Sequence, residues 1–561
     1  MEYLWIVIVG GFISFFNSWG IGANDCANSF ATSVGAKVLT LRQGLCIAAV
    51  FEFLGAFLMG SHVTDTVRKK IVDIDVFDDE PYALMLGMMS ANFAAGVWLF
   101  IATYYKYPVS TTHSIIGAII GFSLAYSGSD AVEWKTVGFI VLSWVISPVL
   151  SGIFSLFTFY VIRRYVYRSE NSFKMTLRIF PILTFITFLI NSFFIFYKGA
   201  PQLKLDEIDL WISIVTSFSI AALTALLAWL LYVPYAKKKI NEFFGNDNSY
   251  TLGNGEINNT NVETAGNSNN MIILNTLEHL GESTTDNIET TNNENNDNIN
   301  ETNISTTNDD NNDNSNNIST TDDAIDIETR LNNVESGVGD DETEQNQDTE
   351  QLYNNDITID ENIKRIKKYK NTLERRKKDD AIEKLHETSE VFDPKVEKLC
   401  SWLQIITACF SSFAHGANDV ANSIAPFATV YAIYETGEVS KKSDVPIWIL
   451  LMGGIGIVLG LGTWGYKIIE RIGRELTKVT ASRGFIIELS AALTTVIASR
   501  TEMPVSTTHC QVGSVIGCGL ADGKNNIKWK YVKNIVFSWL ITLPVTGFIS
   551  AAVFSYGYYS P

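Results

Sequence analysis

The chain has 561 residues, 47% of them hydrophobic, and a formal net charge of −18. Its apolar residues are gathered into long runs, which excludes an ordinary soluble multidomain protein. The acidity is local: residues 241–360 hold 27 of the 60 acidic residues against one basic residue, Arg330, and the rest of the chain carries +8. That surplus suits an anionic ligand, although cytoplasmic anchoring charges explain much of it.

Met1 and Glu2 lead straight into an apolar run without a basic n-region, so a retained first helix is expected rather than a removed signal peptide. Apolar segments fall near 3–33, 43–60, 83–105, 109–126, 135–162, 179–197 and 210–233, then near 399–434, 446–466, 484–499, 505–521 and 531–557. Segments such as 179–197 and 210–233 hold roughly the 20 apolar residues that a ~30 Å hydrocarbon core requires. The expected fold is therefore an all-α polytopic membrane protein with about twelve membrane segments. Its expected divisions are a first membrane repeat (1–165), two linking transmembrane helices (166–235), an acidic, Asn-rich and mostly disordered loop (236–395), and a second repeat (396–561). The loop is too poor in large apolar residues to offset the entropy of folding. Its charged C-terminal flank, 362–391, is read as a solvated linker that can be helical.

Basic residues stay on the cytoplasmic side. Arg163, Arg164, Arg168, Lys174 and Arg178 follow the fifth segment, Lys237, Lys238 and Lys239 the seventh, and Arg471, Arg474, Lys478 and Arg483 the ninth. Outside termini put all these loops, and the long acidic one, in the cytosol; Arg68, Lys69 and Lys70 are the exception. The six cysteines lack CxxC pairs and are read as buried small hydrophobes.

The chain repeats itself. Gly22-Ala-Asn-Asp-Cys-Ala-Asn-Ser29 recurs as Gly416-Ala-Asn-Asp-Val-Ala-Asn-Ser423, and Pro108-Val-Ser-Thr-Thr-His-Ser114 as Pro504-Val-Ser-Thr-Thr-His-Cys510. The spacing from Asp25 to Pro108 nearly equals that from Asp419 to Pro504, so one ancestral unit is used twice. Seven crossings before the loop would make the two halves inverted repeats, with broken or hairpin helices and ligands held between them.

Asn24, Asp25 and Asn28, with Asn418, Asp419 and Asn422, put oxygen ligands into apolar helices, where such groups need a partner. With carbonyls freed where Gly20, Gly22 and Gly416 loosen the helix, they suit a hard monovalent cation such as sodium, centred on Asp25 and Asp419. Interhelical hydrogen bonding is the plainer alternative. Ser110, Thr111, Thr112, Ser506, Thr507 and Thr508 follow a proline at expected helix starts, where free N–H groups and hydroxyls can cradle a tetrahedral oxyanion; ordinary N-capping is the alternative. Glu52 and Glu488 are further cation-ligand or protonatable candidates. They are not symmetric, because Glu488 stands where the first repeat has Asn92. His113, His415 and His509 are read as neutral hydrogen-bonding groups. No HExxH or CxxC pattern, activated nucleophile or cofactor motif points to an enzyme.

Gly22 to Ser29, Pro108 to His113, Phe413 to Ser423 and Pro504 to Gly513 resemble the inorganic phosphate transporter (PiT) family. The resemblance implies symport of inorganic phosphate with sodium or protons, and often a homodimer. It assigns Asp25, Asp419 and their Asn neighbours to cation coupling and the two Ser-Thr-Thr runs to phosphate. Glu52 and Glu488 resemble acidic positions important in eukaryotic members. Cys26 replaces a common valine, which could make transport thiol-sensitive. The expected setting is a lipid bilayer, the plasma membrane, with no organic cofactor and no nucleic acid. A permease for another oxyanion such as sulfate, and a phosphate sensor or receptor, are the alternatives.

Overall fold

The computed structural model describes residues 3–25, 27–69, 71–197, 208–245, 389–439, 445–500 and 505–560. Side chains at 27, 28, 61–69, 474, 499 and 500 lie outside that description, as do the whole of Cys26, Pro504 and Lys70, the side chain of Asn28, and nearly all of the acidic loop. Among the described residues the chain is almost wholly helical, with one isolated bridge, Val72 to Val132.

The first repeat forms α1 (Leu4–Asn24), α2 (Ala27–Gly35), α3 (Leu41–Lys69), α4 (Pro81–Tyr104), α5 (Thr111–Ser127) and α6 (Trp134–Ile162). Between the repeats lie α7 (Ser172–Phe196), α8 (Leu210–Leu227) and α9 (Val233–Gly245). The second repeat forms α10 (Pro394–Asp419), α11 (Ala421–Thr436), α12 (Ile447–Trp464), the short α13 (Tyr466–Glu470), α14 (Ala481–Arg500), α15 (Thr507–Asp522) and α16 (Trp529–Tyr559).

Nine helical stretches among the described residues are long and apolar enough to span a bilayer, against the twelve segments expected. The remaining three segments differ for physical reasons. At 17 and 16 residues, α5 and α15 reach only about 26 and 24 Å, so neither crosses a ~30 Å core alone. Each instead starts where Ser110 or Ser506 caps it, the side chain accepting from the N–H of His113 at 3.2 Å or His509 at 3.3 Å. In the segment near 399–434, α10 is long enough at 26 residues but carries polar and charged side chains such as Lys395, Glu397, Lys398, Gln404 and His415, and α11 has only 16 residues; the two meet beside Asp419, as α1 and α2 meet beside Asp25.

The repeats interlock. α1 packs along α12 while α3 packs along α10; α5 packs along α16 while α6 packs along α15. Each pairing joins one repeat to the other, and its twin exchanges their roles, as a twofold relation between repeats requires. Gly22 and Gly416 sit at the first two crossings. A Cβ at Gly22 would run into the carbonyl oxygen of Ile457, and one at Gly416 into that of Glu52. These glycines do not loosen their helices, as the sequence suggested; they let two backbones touch, and the breaks come after them.

α7 packs on α8 and on α10. The large apolar side chains of α8, among them Trp211, Phe218 and Leu227, are exposed, as a lipid-facing surface demands. Cys400, Cys510 and Cys518 are buried as expected, whereas Cys46 is exposed on α3.

Just ahead of α10, Glu390 receives Arg168 Nε and Nη2 at 2.7 and 2.9 Å. Its carbonyl accepts from Arg483 Nη2 at 2.7 Å, and that nitrogen also meets Asp522 Oδ2 at 2.6 Å. Arg163 Nη1 lies 3.2 Å from Asp522 Oδ1. This network ties the ends of α6 and α15 to the starts of α10 and α14.

Candidate functional site

The helix breaks carry the site. Asp25, at the end of α1, is 1% exposed, and Asp419, closing α10, is 2% exposed. Carboxylates buried this deeply need partners, and both repeats supply them. Thr111 Oγ1 donates to Asp25 Oδ2 at 3.0 Å, and Thr508, from the other repeat, donates to Oδ1. Thr507 Oγ1 donates to Asp419 Oδ2 at 3.2 Å. Asn422 Nδ2 faces Asp419 Oδ1 at 3.3 Å, Thr111 Oγ1 at 3.1 Å and Thr112 Oγ1 at 3.2 Å.

His415 bridges the two acids. Its Nε2 is 2.6 Å from Asp419 Oδ2 and 3.7 Å from Asp25 Oδ1, and its Nδ1 is 3.0 Å from Glu52 Oε2. One ligand atom from each of Asp25, His415 and Asp419 lies within 4.8 Å of the others. Ser412 Oγ donates to Glu52 Oε1 at 3.0 Å. Three carboxylates thus share one imidazole. One imidazole has at most two N–H groups to offer them, so the cluster is rich in oxygen acceptors, a donor set able to hold a small cation.

Not every expected residue joins this cluster. Asn24 is buried but braces the stretch leading into α5: its Nδ2 donates to Thr103 Oγ1 and the Tyr107 carbonyl, both at 2.9 Å, and its Oδ1 accepts from the N–H of Val109 at 3.0 Å. Asn418 is only half-buried, and no contact among the described residues ties it to the acids. The side chain of Asn28 lies outside the described residues. Ser110 and Ser506 are occupied as helix caps. Glu488 forms a separate cluster, accepting from Thr32, from Ser33 at 3.3 Å and from Thr407 at 2.6 Å. Its counterpart Asn92 accepts from Asn17 Nδ2 at 2.7 Å and donates to the carbonyl of Ser423 at 2.8 Å.

His415 was legible only as a hydrogen-bonding histidine, and Ser412 carried no signal, since both act through helices distant in sequence. His113 and His509 differ from the expectation. Their ring nitrogens have no hydrogen-bond partner among the described residues. The rings instead meet at 4.7 Å, covered by Trp144 at 4.7 Å and Trp539 at 3.7 Å.

A model of the phosphate transporter family matches residues 21–550. Sodium-dependent phosphate transporter 1 of Rattus norvegicus is 33% identical over 98% of this chain and 95% of its own length. The Homo sapiens protein of the same name is 31% identical over 99% and 96%. A solved structure titled "The sodium-dependent phosphate transporter" aligns with a TM-score of 0.66 at 30% identity, covering 99% of this chain and 100% of the other.

Proposed function

Because this chain belongs to the phosphate transporter family, we propose that it is a symporter that moves inorganic phosphate across the plasma membrane together with sodium, by alternating access. The observation that carries the reading is the meeting of Asp25 and Asp419, one from each repeat, at Nε2 of His415. A site built from both repeats is rearranged whenever the repeats move against each other, which transport requires.

The hydrogen bonds suggest how two cargoes are coupled. Hydroxyls of Thr111 and Thr508 are held by Asp25, and that of Thr507 by Asp419. A sodium ion bound by these carboxylate oxygens would neutralise charge that repels an anion and weaken the carboxylates as acceptors. The threonine hydroxyls can then turn to phosphate oxygens beside the N-termini of α5 and α15, where backbone N–H groups favour an anion. Cation binding thereby raises phosphate affinity in one state more than in the other, which is the thermodynamic content of coupling. His415, held by Glu52, positions the two acids. Glu488, buried in its own hydroxyl cluster apart from the three acids at His415, is a further cation-ligand or protonatable candidate. Outside termini and a cytosolic acidic loop follow from the distribution of basic residues.

The test is uptake of radiolabelled phosphate into vesicles holding the full chain, with sodium replaced by choline at two pH values. Sodium-dependent uptake that unlabelled phosphate suppresses and sulfate does not is expected. Equal uptake in choline would reject sodium coupling, and suppression by sulfate would favour the broader oxyanion permease.

A further inference from the structure

Beside the acid cluster is a narrow cavity of ≈ 30 Å³, lined among others by Asn191, Ser411, His415, Thr495, Thr507 and Gln511. Among the described residues its lining joins apolar side chains to hydroxyl and amide groups and the His415 ring and includes no carboxylate, although Asp419 lies immediately behind His415 and Thr507. Gln511 is 3% exposed, and its Nε2 has no hydrogen-bond partner. It stands four residues after Thr507, on the same face of α15. A buried amide N–H left unmade is costly, and this one borders a mainly apolar cavity into which a few hydroxyl and amide groups converge.

The matching place in the first repeat is apolar. Duplicated motifs put Ile115 where the second repeat has Gln511, Ile21 where it has His415, and Leu99 where it has Thr495. All three are buried apolar side chains. Asn191 belongs to α7, outside both repeats, and has no counterpart at all.

We propose that this cavity is an antechamber for the tetrahedral oxyanion, with Gln511 as its specificity-determining donor and Asn191 its second amide, handing phosphate to Thr507. The assignment rests on the reading of phosphate as cargo. As it stands, the volume suits a water or two, so phosphate entry requires Phe194 and Val496, the bulkiest of the apolar lining residues, to move aside. Its donors and lack of carboxylates favour an anion over sodium. The replacement of Gln511, His415 and Thr495 by Ile115, Ile21 and Leu99 in the first repeat makes the two approaches to the acid cluster chemically unequal.

The test uses the full chain in proteoliposomes and measures initial rates of radiolabelled phosphate uptake against phosphate and, separately, against sodium. Gln511→Leu should raise the half-saturating phosphate concentration about tenfold, the loss of one hydrogen bond to a charged partner, without moving that for sodium when phosphate is saturating. Gln511→Lys, which keeps a donor, should restore it to within about threefold. Asn191→Leu on α7 should shift phosphate alone, and it serves if changes within α15 impair folding, which size-exclusion profiles would reveal. An unchanged phosphate half-saturation in both leucine variants, or equal shifts for phosphate and sodium, would overturn the proposal. Wild-type vesicles that take up no phosphate would instead overturn the transport reading beneath it.

Discussion

Glu52 occupies in α3 the place that Ile457 occupies in α12: each offers its backbone carbonyl to the glycine of the opposite repeat, Gly416 for Glu52 and Gly22 for Ile457. The partner of Glu52, His415, likewise stands four residues before Asp419, where Ile21 stands before Asp25. One crossing therefore carries an acid and an imidazole, and its twin carries two isoleucines. Removing the acid should be felt at the acid cluster, and trimming the isoleucine should not. Glu52→Gln is expected to lower sodium-driven phosphate uptake at least about tenfold, the effect of about 1.4 kcal/mol, with normal surface abundance. Ile457→Leu should stay within about twofold. Uptake measured beside surface biotinylation checks both.

The glycine contacts make a separate prediction about stability. A methyl at Gly416 must displace the backbone of α3 at Glu52 rather than a pliable side chain. Gly416→Ala should therefore cost about 1–3 kcal/mol or more, read as a lower Tm in detergent. Gly138→Ala, where a Cβ meets nothing within 4 Å, is the control and should leave Tm in place.

The serines and threonines of the duplicated motif should separate by role. Ser110→Ala and Ser506→Ala each remove a helix cap and should cost about 1 kcal/mol of stability, with modest effects on transport. Thr111→Val with Thr507→Val keeps the side-chain volume but takes a hydroxyl from Asp25 and one from Asp419. That double variant should weaken both phosphate and sodium half-saturation. Uptake kinetics and thermal unfolding on the same preparations distinguish the two classes.

Much of this was visible in the repeated motifs, and the limits of that view have physical causes. Asp25 and Asp419 declared themselves because charged groups in apolar runs are costly and these came in duplicate. Ser110 and Ser506 were readable as caps because capping is local. The bond from Thr508 to Asp25 joins residues in different repeats, and no local pattern encodes it. Nor could the sequence tell that Asn24 braces Val109 while Asn422 faces Asp419, since the two occupy nearby places in the same motif but meet different neighbours. His415 lacks a duplicate, so comparing the copies could not select it.

The charged network ahead of α10 gives a pH prediction. Burial pushes the Glu390 carboxyl up, but the hydrogen bonds and charge of Arg168, with Arg163 and Arg483, outweigh it and hold the group below its ordinary value. A carboxylate whose folded pKa is depressed stabilises the fold fully above its unfolded value, and that contribution fades as pH falls through the folded one. The Tm of Glu390→Gln should therefore lie below wild type near pH 7, with the difference shrinking below about pH 4.5, the ordinary value for this side chain. A gap that stays constant to lower pH would remove the charge from the explanation.

The most direct test of a coupling site shared by the repeats is phosphate uptake driven by an imposed sodium gradient in proteoliposomes holding Asp25→Asn or Asp419→Asn. If the two carboxylates act together on one cation, either substitution alone abolishes sodium-driven uptake while the protein remains folded and inserted. Wild-type sodium dependence in either variant would contradict a site made by both.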